Sequence, residues 1–258
     1  MEYTTVLVER GDDHVTTITL NRPDKMNSFN QTMCDEFHHF WQDVRYDDDV
    51  HAVVLRAAGE RAFCTGVDVK EGLNVPENAW AWEDPGMFLG PKQNRCWKPV
   101  IAAVHGMAAG GALYFLNECD IIIASDDATF FDPHVDFGMV AALEPIGLFR
   151  RLPFQEITRM ALLGRSIRMT ADRAFQLGLA SEVVSRDDLW PRAHELAALI
   201  ASQSPTAIQG TVRVLWDAID MPRYSANSAG VIYPLYGNPR AQQILVDEGK
   251  LDPTTRKV

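Results

Sequence analysis

The sequence has no long apolar run, no paired cysteines and few basic residues. Its apolar stretches, such as Val100–Val104 and Ile121–Ala124, fall far short of the roughly 20 residues of a membrane span, so no membrane partner is expected. No charged-then-apolar leader precedes Tyr3, and a secretory signal is not expected. The four cysteines, Cys34, Cys64, Cys96 and Cys119, lie far apart and form no C-x-x-C motif. Neither a metal site nor a disulfide framework is indicated; reduced thiols in a cytoplasmic protein are expected. Bases number 24 against 35 acids, a formal charge of -11. That balance argues against a nucleic-acid partner, which requires a basic stripe to displace counterions from phosphates. It does not exclude a phosphorylated small ligand, which a few lysines and backbone N–H groups can hold. What is present is a chain of 258 residues, 47% hydrophobic and 23% charged, enough for one large globular domain or two small ones.

Thr4–Arg10 and His14–Leu20, rich in Thr, Val and Ile around Gly11-Asp12-Asp13, predict a hairpin. Met33, Phe37, Phe40, Trp41 and Val44 recur at helical spacing after the Asn21-Arg22-Pro23-Asp24 break. Ala52–Ala57 is a continuous apolar run, a buried strand, and Ala58–Gly72 a glycine-punctuated loop. Residues 72–96 show no clear period and predict a mobile loop with some helix. A strand at Pro99–Val104, a glycine turn, a helix over about residues 112–118 and a strand at Asp120–Ala124 make a crossover unit with parallel pairing. From Pro145 onward the pattern is mostly helical, with starts at Thr170 and at Ser204-Pro205. The division expected is an α/β core over residues 1–200 and a helical region over 201–258.

Gly110-Gly111, at the junction of a strand and a helix, fits close ligand approach and equally fits tight packing. No G-x-G-x-x-G stands there, so the dinucleotide reading fails. A second element, Arg61-Ala62-Phe63-Cys64-Thr65-Gly66-Val67-Asp68-Val69-Lys70, changes the picture. With Val100 to Gly106, Cys119-Asp120-Ile121-Ile122, Asn21-Arg22-Pro23 before Lys25 and Asn27, Ala128-Thr129-Phe130-Phe131 and Ala174 to Ala180, it resembles the enoyl-CoA hydratase/isomerase (crotonase) family along nearly the whole chain. The resemblance implies a crotonase-like (ClpP/crotonase) α/β fold of repeated ββα units with a C-terminal helical trimerisation region. A homotrimer or dimer of trimers is expected with it. It also implies an acyl-CoA thioester as ligand and no separate cofactor, coenzyme A being part of the substrate.

By position in the matching motifs, two backbone N–H groups, of Val67 and Gly111, would form the oxyanion hole for the thioester oxygen. Such donors are worth a few kcal/mol each. The same resemblance places coenzyme A along Lys25 and Met26 and along Asp68, Val69 and Lys70, with both lysines as phosphate partners or simply solvated charges. The family's hydratases flank their water with two glutamates, and here those positions hold Tyr114 and His134. Neither hydratase glutamate is present. A tyrosine with a pKa of about 10 is a poor base, whereas a histidine near about 6.5 serves as acid or base. On an extended strand Asp132, His134 and Asp136 would share one side, letting an aspartate orient the imidazole. Glu144, just before a helix opening at Pro145, is the remaining candidate: some related isomerases, hydrolases and a dehalogenase carry an acid in this segment. A carboxylate amid apolar neighbours acquires a raised pKa, and a helix-start acid is the alternative. His38, His39, His51 and His194 fit no ligand spacing, and His105 reads as support for the glycine turn.

The catalytic candidates are therefore His134, Glu144 and Tyr114. Without paired carboxylates, isomerisation or hydrolysis is easier to defend than efficient hydration, since isomerisation needs one group that removes and returns a proton. A catalytically weak or inactive acyl-CoA-binding protein is the other reading. Trp80, Trp82, Met87 and Phe88 line either the acyl end or a subunit interface, and Tyr233 and Tyr236 are expected to reach a neighbouring subunit's pocket.

Overall fold

Alternating Val, Ile and Thr build the first hairpin, β1 (Val6–Arg10) and β2 (Val15–Leu20), paired antiparallel. These features come from a computed structural model that describes residues 2–74, 78, 80 and 84–231. Helix α1 (Gln31–Val44) follows, its N-terminus capped by Asn30, whose side chain accepts from the Met33 N–H at 3.0 Å. Next come β3 (Ala52–Ala57), β4 (Ala62–Cys64), β5 (Val100–Val104), β6 (Met107–Ala109), α2 (Ala112–Leu116), β7 (Ile121–Ser125) and β8 (Thr129–Phe131). The chain continues through α3 (Leu143–Leu148), α4 (Phe154–Leu163), β9 (Met169–Thr170), α5 (Ala171–Leu177), β10 (Glu182–Val184) and α6 (Leu189–Ala201). Two compact units result, Met1–Ser202 and Gln203–Val258, the second holding α7 (Pro205–Ile219) and α8 (Arg223–Gly230).

Two sheets organise the first unit. The larger runs β1-β2-β3-β5-β7-β10 and is parallel apart from the hairpin; the smaller runs β4-β6-β8-β9, parallel apart from its last pair. Strand alternation divides the larger sheet into two faces. Val53, Leu55, Val100, Ala102, Val104, Ile122 and Ala124 enter the main core with α1, α2, Phe63 and Phe130. Ala52, Val54, Ile101, Ala103 and Ile123 pack instead against Leu189, Ala193, Ala197 and Ala201, one four-residue-spaced stripe of α6. Phe37, Phe40 and Trp41 of α1 are completely buried, each contributing roughly 1.5–3 kcal/mol.

Three expectations are corrected. The Ala58–Gly72 stretch contains β4, and the glycine turn contains β6; three-residue strands leave no readable period. Gly106 marks the crossing between sheets: at φ 55°, an added Cβ would lie 2.5 Å from the Arg61 carbonyl oxygen. The predicted strand carrying Asp132, His134 and Asp136 is a 3₁₀ turn over His134–Phe137. Asp136 consequently faces away from the imidazole and accepts from the Arg165 N–H at 2.7 Å.

Candidate active site

The two glycine-marked turns meet. A Cβ added at Gly66 would lie 3.0 Å from the Gly111 nitrogen, so the turn before Val67 abuts the start of α2. Val67 forms a parallel bridge with Phe29, in which the Phe29 N–H donates to the Gly66 carbonyl at 2.9 Å and the Asp68 N–H to the Phe29 carbonyl at 2.7 Å. Because the flanking groups make those bonds, the N–H of Val67 itself points to the opposite side. Among the described residues, neither the Val67 nor the Gly111 N–H has an acceptor. Two free amides on adjoining turns are what an oxyanion hole requires.

Beside them stand His134, Asp132 and Glu144. The Gly110 N–H donates to the Phe131 carbonyl at 3.0 Å, joining the end of β6 to the end of β8. A Cβ at Gly110 would lie 3.8 Å from His134 Cε1, so the imidazole sits against the glycine turn. Asp132, 1% exposed, accepts from His134 Nδ1 at 2.5 Å, which fixes the ring and leaves Nε2 outward. Nε2 lies 3.6 Å from Glu144 Oε1. The hydrogen bond to Asp132 raises the His134 pKa against the opposing effect of burial, and Glu144 adds to the rise. Burial raises that of Glu144, while the imidazole partly offsets it. Glu144 is held in place where α3 meets α2: Asn117 Nδ2 donates to its carbonyl at 3.0 Å, in space left by the missing side chain of Gly147.

Asp132, His134 and Glu144 offer ligand atoms within 4.8 Å of one another, a spacing a cation could use. The imidazole engages only Oδ1 of Asp132, and Oδ2 is buried with no hydrogen-bond partner among the described residues.

Tyr114 is one turn beyond Gly111, and its hydroxyl donates to Asp84 in a short bond. Asp84, which sequence reasoning missed, caps the Pro85–Leu89 turn by accepting from the Gly86 N–H at 2.9 Å. The cap residue before Pro-Gly was its only sequence signal. Burial and this hydrogen bond raise the tyrosine pKa, so Tyr114 keeps its proton. Tyr114→Phe is expected to lower the rate less than tenfold and stability by about 1–3 kcal/mol, because a buried acceptor loses its donor. Rate assays and denaturant melts check both.

Lys25, Met26, Val69 and Lys70 lie on the two loops preceding and following the hole, with the lysines and Val69 exposed. Neither lysine has an ion-pair partner among the described residues. The Asp68 carboxylate is turned inward instead: it accepts from the Lys70 and Glu71 N–H groups and pairs with Arg22 at 3.1 Å. Burial pushes its pKa up, but these donors hold it below the usual range. Glu118 and Asp120 serve structure, accepting from Lys92 and Gln93 and from Lys92 and Val100 respectively. Trp80 is almost fully exposed and Met87 and Phe88 are half-buried, whereas Trp82, Tyr233 and Tyr236 lie outside the described residues. A cavity of about 220 Å³ lined by Phe130, Met160, Met169 and Arg168 contains none of the candidate residues.

The fold and the paired turns define the crotonase class. A family profile for enoyl-CoA hydratase/isomerase matches residues 10–228, and the chain belongs to that family of enzymes acting on acyl-CoA thioesters. The (E)-benzylidenesuccinyl-CoA hydratase of Thauera aromatica is 36% identical over 212 residues, covering 81% of this chain and 82% of its own. The mitochondrial Delta(3,5)-Delta(2,4)-dienoyl-CoA isomerase of Rattus norvegicus is 33% identical over 229 residues, covering 81% and 68%. A crystal structure of an enoyl-CoA hydratase/isomerase from Mycobacterium paratuberculosis superimposes with a TM-score of 0.88 at 35% identity, covering 96% and 97%. No helix among the described residues is long and apolar enough to cross a membrane.

Proposed function

We propose that this protein shifts a double bond along the acyl chain of an enoyl-CoA thioester. Val67 and Gly111 hold the thioester oxygen as the base takes a proton from the α-carbon. In a 3-enoyl chain the electron pair moves into a dienolate, and the same group returns the proton at the γ-carbon; in a 3,5-dienoyl chain the proton returns at the ε-carbon. Bonds and charge balance without a co-reactant. The observation that carries this reading is the 3.6 Å separation of His134 Nε2 and Glu144 Oε1. Two groups sharing a water at about 2.8 Å from each stand roughly 4.5 Å apart, so this pair stands too close to hold a water between its members, and at 3.6 Å each instead sets the charge of the other. Hydration requires two groups around a water, and Tyr114, which keeps its proton, does not supply the second. The dienoyl-CoA isomerase relative supports the choice, and hydrolysis remains a rival within the same site.

Assays of 3-enoyl-, dienoyl-, 2-enoyl- and β-diketone thioesters separate these outcomes. A double-bond shift on the first two is expected; faster hydration or hydrolysis overturns the reading, and binding without turnover on all four marks an acyl-CoA-binding protein. The pH profile of kcat/KM is expected to be bell-shaped, reporting the pair rather than either residue. Its acid limb lies above the ordinary carboxylate range and its basic limb above the ordinary imidazole range, following the two upward shifts. Asp132→Asn removes the largest cause of the His134 shift and moves the basic limb down. A trimer or paired trimers in the cytoplasm belong to the same proposal, supported by exposed Phe149, Phe154 and Leu162, and sedimentation tests the assembly.

A further inference from the structure

Arg22 stands outside any acyl-CoA contact assigned above, yet it joins the two loops that carry the candidate site. Its side chain is 11% exposed. Nη1 donates to the Ser28 carbonyl at 2.6 Å, and Nη2 donates to Asp68 at 3.1 Å and to Glu71 at 2.6 Å. Its backbone N–H donates to Asn27 Oδ1 at 2.9 Å, and Asn27 Nδ2 donates to the Ala58 and Ala62 carbonyls, both at 2.9 Å. Met26 and Asn27 hold left-handed backbone at φ 51° and 53°, a conformation that non-glycine residues keep only when surrounding bonds impose it. The result of this turn is the placement of Phe29, whose N–H and carbonyl grip Gly66 and Asp68 on either side of Val67. Thus one guanidinium bonds the segment that orients Val67 from one side and the residue after Val67 from the other.

We propose that Arg22 is a positioning residue for the oxyanion hole, acting through Asp68 and Ser28 to aim the Val67 N–H. This rests on the oxyanion reading above and extends it to residues that never touch the substrate. An arginine is required rather than any cation, because two nitrogens must bond at once in fixed directions. Lysine, with a single ammonium, keeps the charge and loses the fork. The consequence is confined to charge developing on the oxygen: ground-state thioester binding, which uses other contacts, stays intact.

Acetoacetyl-CoA and butyryl-CoA serve as probes on the full chain. The first ionises to an enolate visible by absorbance; the second carries the same thioester and does not form a conjugated enolate. In Arg22→Lys and Asp68→Asn, the apparent equilibrium constant for enolate formation on the enzyme is expected to fall about tenfold or more, the scale of a misaimed donor. Butyryl-CoA affinity is expected to change less than about threefold. The kcat for the enoyl substrate falls while KM holds. Glu71→Gln, which alters the exposed carboxylate that Arg22 shares with the Asn30 side chain and keeps an acceptor oxygen there, leaves all three near wild type. Equal losses for both probes, or no loss for either in folded protein, overturn the inference. Thermal melts and butyryl-CoA binding identify any variant that fails to fold, and the milder Asp68→Asn then decides. Wild-type protein that binds acetoacetyl-CoA without promoting its enolate refutes the oxyanion reading itself, a result distinct from wild-type-like variants.

Discussion

His134→Gln is expected to lower kcat/KM by about 10²–10⁴-fold, the scale of a positioned acid–base group, while affinity for a saturated acyl-CoA is retained. The ring is aimed by Asp132 and stands against Gly110, the residue before Gly111. Steady-state assays with the wild type, His134→Gln and Glu144→Gln assign the roles. A large loss in both variants means the pair moves the proton together; a large loss confined to Glu144→Gln makes the histidine its support. Activity unaffected in both removes the proton-transfer assignment. Glutamine is chosen over alanine because Asp132 is almost completely buried and without a side-chain donor would keep only the backbone N–H of residue 134; losing that donor costs about 1–3 kcal/mol. Stability carries a matching signature. A histidine whose folded pKa is raised contributes stability that is present in full below its unfolded value of about 6.5 and is lost as pH rises through the folded value. The stability gap between wild type and His134→Gln therefore narrows toward alkaline pH, measured by denaturant unfolding.

Much of this arrangement was legible in the residues, for reasons that differ between elements. The hairpin and α1 announced themselves because burial on one face imposes a period on the chain, as Phe37, Trp41 and Val44 show. Thr170 declared the start of α5 because its hydroxyl accepts from the Arg173 N–H at 3.2 Å. The meeting of two turns was readable at Gly66 and Gly111, where backbone approach excludes a side chain. The dyad was only half readable. Asp132 was expected to orient His134 through a strand, but the pairing depends on a tight turn in which Asp132 accepts both the backbone N–H and Nδ1 of the same histidine. Asp84 was hidden altogether: its meeting with Tyr114 spans 30 positions, and no local pattern encodes it. The Pro85–Leu89 turn is placed by Trp41, whose indole N–H donates to the Leu89 carbonyl at 3.0 Å. A long-range partner of that kind is fixed by the packed core, which is why fold was easier to read than chemistry.

Gly66→Ala is expected to lower kcat by about 10²–10³-fold, the loss seen when one oxyanion-hole donor is removed. Two effects coincide at this position. The backbone at φ 88° disfavours any L side chain, a cost of roughly 1–2 kcal/mol. The new methyl would also lie 3.0 Å from the Gly111 nitrogen and 3.3 Å from the Ala109 carbonyl oxygen, both backbone atoms with little freedom to retreat. Relief therefore moves one turn relative to the other, and under the proposed function the Val67 and Gly111 N–H groups lose their common target. Gly178→Ala separates the causes: its φ of 84° brings similar backbone strain at the end of α5, but nothing lies within 4 Å of its added Cβ. In denaturant melts Gly178→Ala should lose only the strain share, and Gly66→Ala that share plus the cost of the close contacts. Only Gly66→Ala should lose turnover, and with it the preference for enolised over saturated acyl-CoA. If the two variants retain equal kcat, the meeting of the Gly66 and Gly111 turns is packing alone and the thioester oxygen is stabilised elsewhere.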